Sequence, residues 1–185
     1  MHLIADVSAR LPHAVIRGQA QYRHKVFVQT LHWNLPCRDG IESDQFDRQD
    51  TVYVVALDDD DEVVGTARLL PTTRPYLLSE VFPGLLGGQP PPCSPEVWEL
   101  SRFAAVDFAA KTRSAATQFS APTASALLRA ALDVAASHGA QRLVTVSPVG
   151  VERLLRNAGF AAKRMAPAVT IGGQALVSIV IEVEA

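Results

Sequence analysis

Apolar and polar residues along the chain fall into runs with different periods, and each period predicts an element. From Leu11 to Trp33, "LPHAVIRGQAQYRHKVFVQTLHW", the positions Val15, Ala20, Val26, Phe27 and Leu31 are apolar with polar residues between them. That spacing predicts an amphipathic helix beginning after Pro12 and ending before "NLPCRDG". "NLPCRDG" and "IESDQFDRQD" show no period and read as loop, with room for a short helical turn. "TVYVVAL" and "VVGTARLLPTT" are β-branched runs around the acidic tip "DDDDE", a hairpin that ends at Pro71. After "PYLLSEVFPGLLGG", the proline-rich "QPPPCSPE" cannot lie inside a sheet, and it leads into "EVWELSRFAAV", Glu96 to Val106, a buried strand. "AAKTRSAATQFS" reads as a polar loop and "APTASALLRAALDVAASHGA" as an Ala/Leu helix closing at Gly139. "QRLVTVSP" is a buried strand, "VGVERLLRNAGF" a short helix stopped by Gly159, and "PAVTIGGQALVSIVIEV" a last hairpin across Gly172 and Gly173. This order predicts an α/β fold with a mixed sheet covered by helices.

Composition narrows the class. With 185 residues, 48% of them hydrophobic, the chain can build one compact domain over residues 1–185. Its apolar runs are too short to span a bilayer and its start lacks a signal-peptide pattern, which predicts a soluble cytoplasmic protein without membrane insertion. A net charge of −2 argues against nucleic acid as the main partner. The charge is uneven: residues 1–104 sum to −5 and residues 105–185 to +3, so the C-terminal part could meet an acidic partner. Cys37 and Cys93 lack ligand or disulfide spacing, and the run Asp58 to Asp61 lacks calcium-loop spacing, so no metal site is expected. No GxSxG, HExxH or GxxxxGK[ST] motif is present.

The chemistry concentrates in "WELSRF". Glu99, Ser101 and Arg102 interrupt an apolar strand, where an ionised group costs several kcal/mol unless paired. Regular alternation sends Glu99 and Arg102 to opposite faces, so either a β-bulge near Ser101 brings them into one cleft or they serve two networks. Arg68 interrupts the hairpin's apolar run in the same way. Asp44 and Asp47 would present two carboxylates together if their loop makes a helical turn, and Arg23 and Phe27 share a helix face just before Trp33. Singly, each has a plainer reading: Arg23 solvated, Phe27 core, Trp33 a plug for the helix end, the aspartates caps.

Together, "YRHKVFVQTLHW", "GIESDQFD", "VVGTARLLPTTRPYLL" with "VFPGL" beyond it, and "WELSRFAAV" resemble, in order, the acyl-homoserine lactone synthases, the autoinducer synthases of bacterial quorum sensing. The resemblance implies a GNAT-like fold whose mixed sheet has a V-shaped split. It implies acylation of the S-adenosylmethionine (SAM) amine by an acyl thioester, then lactonisation with release of 5′-methylthioadenosine. SAM would be a cosubstrate, and the acyl donor an acyl carrier protein or acyl-CoA. On this reading Arg23, Phe27 and Trp33 capture SAM, while Asp44, Asp47, Arg68 and Arg102 form a charged network. Glu99 is a general-base candidate, or purely structural with water taking the proton, and Ser101 places water or the thioester oxygen. Phe82, Phe103, Val144, Thr145, Val146, Leu154 and Leu155 are wall candidates for an acyl tunnel, although each is also ordinary core. Lys111, Arg113, Arg153, Arg156, Lys163 and Arg164 are candidates for docking an acidic carrier protein. "AAKTRSAATQFS" has no glycine where acetyl-CoA-dependent relatives carry a pyrophosphate loop. The alternatives are a GNAT N-acyltransferase using acyl-CoA on another amine, and a non-catalytic GNAT-like ligand-binding module.

Overall fold

The first strand, β1 (His2–Val7), is one that the hydrophobic pattern does not announce. It is a partly exposed strand, and its order comes from pairing antiparallel with β4 (Val52–Leu57), from His2↔Leu57 to Val7↔Val52. The structure is a computed structural model that describes residues 1–106, 108 and 122–183. Its chain divides into two units, Met1–Arg68 with Arg102–Ala131, and Leu69–Ser101 with Leu132–Ala185.

In the first unit, α1 (His13–Arg23) follows Pro12 as expected and runs on as a π-helix, His24–Thr30. The segment read as loop instead holds a small ribbon, β2 (Cys37–Arg38) and β3 (Ile41–Glu42). Its turn residues Asp39 and Gly40 both have positive φ, 52° and 75°, the backbone that a two-residue hairpin turn needs and that Asp-Gly adopts at low cost. The predicted hairpin of β4 and β5 (Val63–Pro71) is present. At its tip, Asp58 accepts backbone N–H bonds from Asp60 and Glu62, so this acid builds the turn. Leu11, Tyr53, Val55 and Leu57 form one apolar cluster, and Tyr22, Val26, Phe27 and Ala104 another.

In the second unit, α2 (Leu77–Glu80) and a 3₁₀ turn (Pro83–Leu86) precede β6 (Val97–Ala104). β6 pairs in parallel with β7 (Arg142–Pro148) over Val97↔Arg142 to Glu99↔Val144. The paired register ends at Glu99 and Val144. α3 (Pro122–Ser137) precedes β7, and α4 (Val151–Asn157) follows it. β8 (Ala162–Arg164), also unannounced, and β9 (Val169–Ile171) both pair antiparallel with β10 (Gln174–Glu182), which pairs with β7. Ser178 of β10 donates to the Leu85 carbonyl at 2.6 Å and holds the 3₁₀ turn on this sheet. β5, β6 and α3 each run from one unit into the other.

Candidate functional site

Six charged side chains of the first unit close into a ring. Arg23, the last residue of α1, is fully buried; it donates Nε to Glu42 and its two Nη atoms to the two Asp47 oxygens at 2.8 Å each. Asp47 also accepts from Arg68 Nη1 at 2.8 Å, and Arg68 donates to both Asp44 oxygens at 2.6 and 3.1 Å. Asp44 accepts from Arg102 Nη2 at 2.8 Å, and Arg102 reaches Glu42 through Nη2 at 2.9 Å and Nε at 3.2 Å. The circuit Arg23, Asp47, Arg68, Asp44, Arg102, Glu42 thus returns to Arg23 with cations and anions alternating throughout.

Local structure brings each member there for a different reason. The Asp39-Gly40 turn folds the ribbon so that β3 delivers Glu42. Asp44 and Asp47 face together because their loop makes the expected turn: Asp47 N–H bonds the Asp44 carbonyl at 3.1 Å, and Asp47 Oδ2 accepts the Asp44 N–H at 2.8 Å. Arg68 is a fully buried residue of β5. Arg102 sits in β6 with φ +50°, left-handed backbone inside a strand. This is the break in alternation that a bulge supplies, and it lets Arg102 join the N-terminal acids.

Electrostatics follow from burial and pairing. Burial alone would raise the Asp47 pKa, but the hydrogen bonds and charge of Arg23, the charge of Arg68 and the Tyr53 hydroxyl outweigh it. The carboxyl is held well below the usual carboxylate range. Burial would likewise lower the Arg23 pKa, and Asp47 and Glu42 instead push it above its ordinary value. The Tyr53 phenol, which donates to Asp47, is raised by burial and by the Asp47 charge. Beside the ring, Phe27 and Trp33 stack with centroids 5.0 Å apart and planes at 19°, and the Arg102 guanidinium lies 5.9 Å from the Phe27 centroid.

Glu99 belongs to the second unit and makes different bonds. Fully buried, it accepts the Leu77 and Leu78 N–H groups at 2.9 and 2.6 Å, so it holds the start of α2. Ser101 is buried, and alternation from Glu99 puts it on the same sheet face. The acyl-wall candidates divide. Val144 stands opposite Glu99 and Val146 shares its face, whereas Thr145, between them on β7, points to the other face. Phe82, Phe103 and Leu154 are half-buried and Leu155 is buried. Of the basic docking candidates, Arg156 and Arg164 pair with Glu152 and Lys163 with Glu182, while Arg153 is exposed; Lys111 and Arg113 lie outside the described residues.

Sequence reasoning missed Glu42, Phe46 and Tyr53. Glu42 lies in a polar run where an acid raises no question, and only the Asp-Gly turn just before it could have signalled a ribbon. Phe46, 5.6 Å from the Arg68 guanidinium, and Tyr53 both read as ordinary core.

A family model described as "Autoinducer synthase" matches residues 9–185. An acyl-homoserine-lactone synthase of Acinetobacter nosocomialis is 50% identical over 183 residues, covering 99% of this chain and 100% of that protein. The crystal structure of TofI in a ternary complex with an inhibitor and MTA is 43% identical with a TM-score of 0.84, covering 100% of this chain and 93% of that one. The structure of BjaI, a CoA-dependent acyl-homoserine lactone synthase, with SAM and isopentyl-CoA, is 28% identical with a TM-score of 0.84, covering 98% of this chain and 83% of that one.

Proposed function

The chain belongs to the autoinducer synthase family, and on that premise we propose how its residues make an acyl-homoserine lactone from SAM and an acyl thioester. The mixed sheet flanked by helices is the GNAT-like fold of these synthases. The enzyme is an acyltransferase whose product is a quorum-sensing signal. The observation that carries the residue assignment is the closed ring of alternating charges beside a stacked aromatic pair.

In the first step the neutral SAM amine attacks the thioester carbonyl; the C–N bond forms, the C–S bond breaks, and the thiol takes the proton. In the second, a SAM carboxylate oxygen attacks the γ-carbon; the C–O bond forms and the bond to the sulfonium breaks, releasing 5′-methylthioadenosine as a neutral sulfide. Phe27 and Trp33 offer aromatic faces to the sulfonium or the adenine. Arg23 anchors the ring that holds the ribbon and the Asp44–Asp47 turn in place over the cosubstrate.

Glu99 has two roles to test. With two backbone donors already on its carboxylate, a Gln there turns an N–H₂ group toward one of them, so lost activity alone does not identify a base. The pH profile does: a base role predicts that Glu99→Gln removes the dependence of acylation on the ionisation of an acid, and a purely capping role predicts a fall at every pH with the profile unchanged. Ser101 places a water or the thioester oxygen, and Val144, Val146, Phe82 and Leu154 line the acyl path.

The donor is a carrier protein, supported by the exposed basic residues Arg153, Arg156 and Lys163 on α4 and β8. The whole chain acts as one synthase domain, a reading supported by the span of the family match. No helix among the described residues is long and apolar enough to cross a membrane, and the enzyme works in the cytoplasm, where SAM is made. The test is mass spectrometry of extracts from cells expressing the chain. N-acyl-homoserine lactones are expected; their absence, with no methylthioadenosine formed in vitro from SAM and a panel of acyl-carrier and acyl-CoA donors, overturns the proposal.

A further inference from the structure

Away from the charged ring, the second unit holds a cavity of about 280 Å³ over the start of the parallel pair β6 and β7. Its floor is apolar. Val97 of β6, Val144 of β7 and Val180 of β10 come from three neighbouring strands and share the sheet face of Glu99, with Val180 directly opposite Val144. Met165, just past β8, closes one side, and Cys93 and Ser94 of the proline-rich segment close another.

That proline-rich wall is pinned from beneath. The buried Thr72 hydroxyl donates to the Val97 carbonyl at 2.7 Å and accepts the Ser94 N–H at 3.1 Å, and the buried Tyr76 donates to the Pro92 carbonyl at 2.7 Å. The cavity is thus formed in advance, and an occupant has little wall to order.

Arg142 brings the charge. It is exposed, it lines the cavity, and its guanidinium has no hydrogen-bond or ion-pair partner among the described residues. The acid opposite it in the sheet is Glu182, but that carboxylate lies 4.0 Å from Lys163 Nζ instead. An apolar floor that ends at an unengaged planar fork fits an amphiphile with a carboxylate head. At roughly 30 Å³ for each group the size of a water or a methylene, the space takes about nine such groups, a carboxylate on a chain of about six to eight carbons.

We propose that this cavity binds a free medium-chain carboxylic acid, with its carboxylate on Arg142 and its chain along the three valines. The site is separate from the acyl path described above. That path leaves Val144 toward Val146, whereas the cavity extends from Val144 back to Val97 and Arg142. The inference goes beyond the synthase reading and does not depend on it.

Cys93 supplies the readout, because its exposed thiol lies on the cavity wall and the chain's other cysteine is Cys37. In the Cys37→Ser protein, the rate at which neutral iodoacetamide alkylates Cys93 is followed by intact mass in the presence of octanoate, octan-1-ol or octylamine. Octanoate should slow the reaction to a saturating limit, at concentrations roughly tenfold lower than octan-1-ol requires, and octylamine should protect least. Unfolding by an amphiphile would speed alkylation, the opposite sign. Arg142→Gln should bring octanoate to the level of octan-1-ol and leave the effect of octan-1-ol unchanged. A rate that octanoate does not slow overturns the proposal, as does equal protection by octylamine, and both are read without the Arg142 variant. An octanoate preference that survives Arg142→Gln overturns it as well.

Discussion

At the scale of single residues, the ring makes every charge depend on two neighbours. Removing one leaves two partners short in a buried setting, whereas removing an adjacent pair keeps the balance. Arg102→Met should cost roughly 3–5 kcal/mol, and adding Asp44→Asn should return part of it rather than add to it; denaturant unfolding of both variants checks this. Asp47 adds a pH dependence of known sign. Its folded pKa lies below the ordinary carboxylate value, so its contribution is complete at pH values above about 4 and is lost as the pH falls through the folded value. Asp47→Asn should be less stable at neutral pH and show a shallower loss of stability toward pH 2, read from urea midpoints along the series. Four ring members, Asp44, Asp47, Arg68 and Arg102, are legible in the sequence as a charged network, the two arginines because a charge inside an apolar run demands a partner; Arg23 reads there as a SAM contact, whereas its three guanidinium nitrogens serve Glu42 and Asp47. Glu42 is not legible, since nothing in "GIESD" marks one acid as buried.

At the scale of elements, the period gave the first helix but not its winding. The π-helix over His24–Thr30 ends on a bond that an α-helix would not make: Leu31 N–H reaches the Val26 carbonyl at 2.9 Å, and just beyond it Trp33 N–H reaches the Phe27 carbonyl at 2.9 Å. Such a segment closes its bonds over five residues where its α-helical neighbours close over four, and short runs of it recur at functional sites. Here it carries Phe27 beneath Trp33. Deleting the exposed Gln29 should let the helix revert to α-winding, separate the two rings and weaken SAM binding by roughly tenfold or more, while the circular-dichroism helix signal persists. Retained SAM affinity in that deletion would show that the winding is incidental. Strands β1 and β8 escaped the pattern for a related reason: both carry exposed residues, so their order comes from pairing with β4 and β10 and not from their own apolar period.

At the scale of the whole molecule, the uneven charge is a property that sequence displays in full, although what it serves is not. The positive excess beyond residue 104 includes Arg153, Arg156 and Lys163, all exposed. Docking of an acidic carrier protein there predicts a Michaelis constant for the acyl donor that rises with salt, and Arg153→Glu should raise it further while leaving the constant for SAM unchanged. A donor constant that is flat across salt would remove this surface from consideration. The ring behaves otherwise. An ion approaching from solution meets the sum of its six charges, which is zero, and a neutral arrangement casts only a short-range field. SAM should therefore find its site at a rate that hardly changes between about 0.02 and 0.3 M salt, measured by stopped-flow fluorescence. The encounter is left to diffusion, and recognition begins at contact.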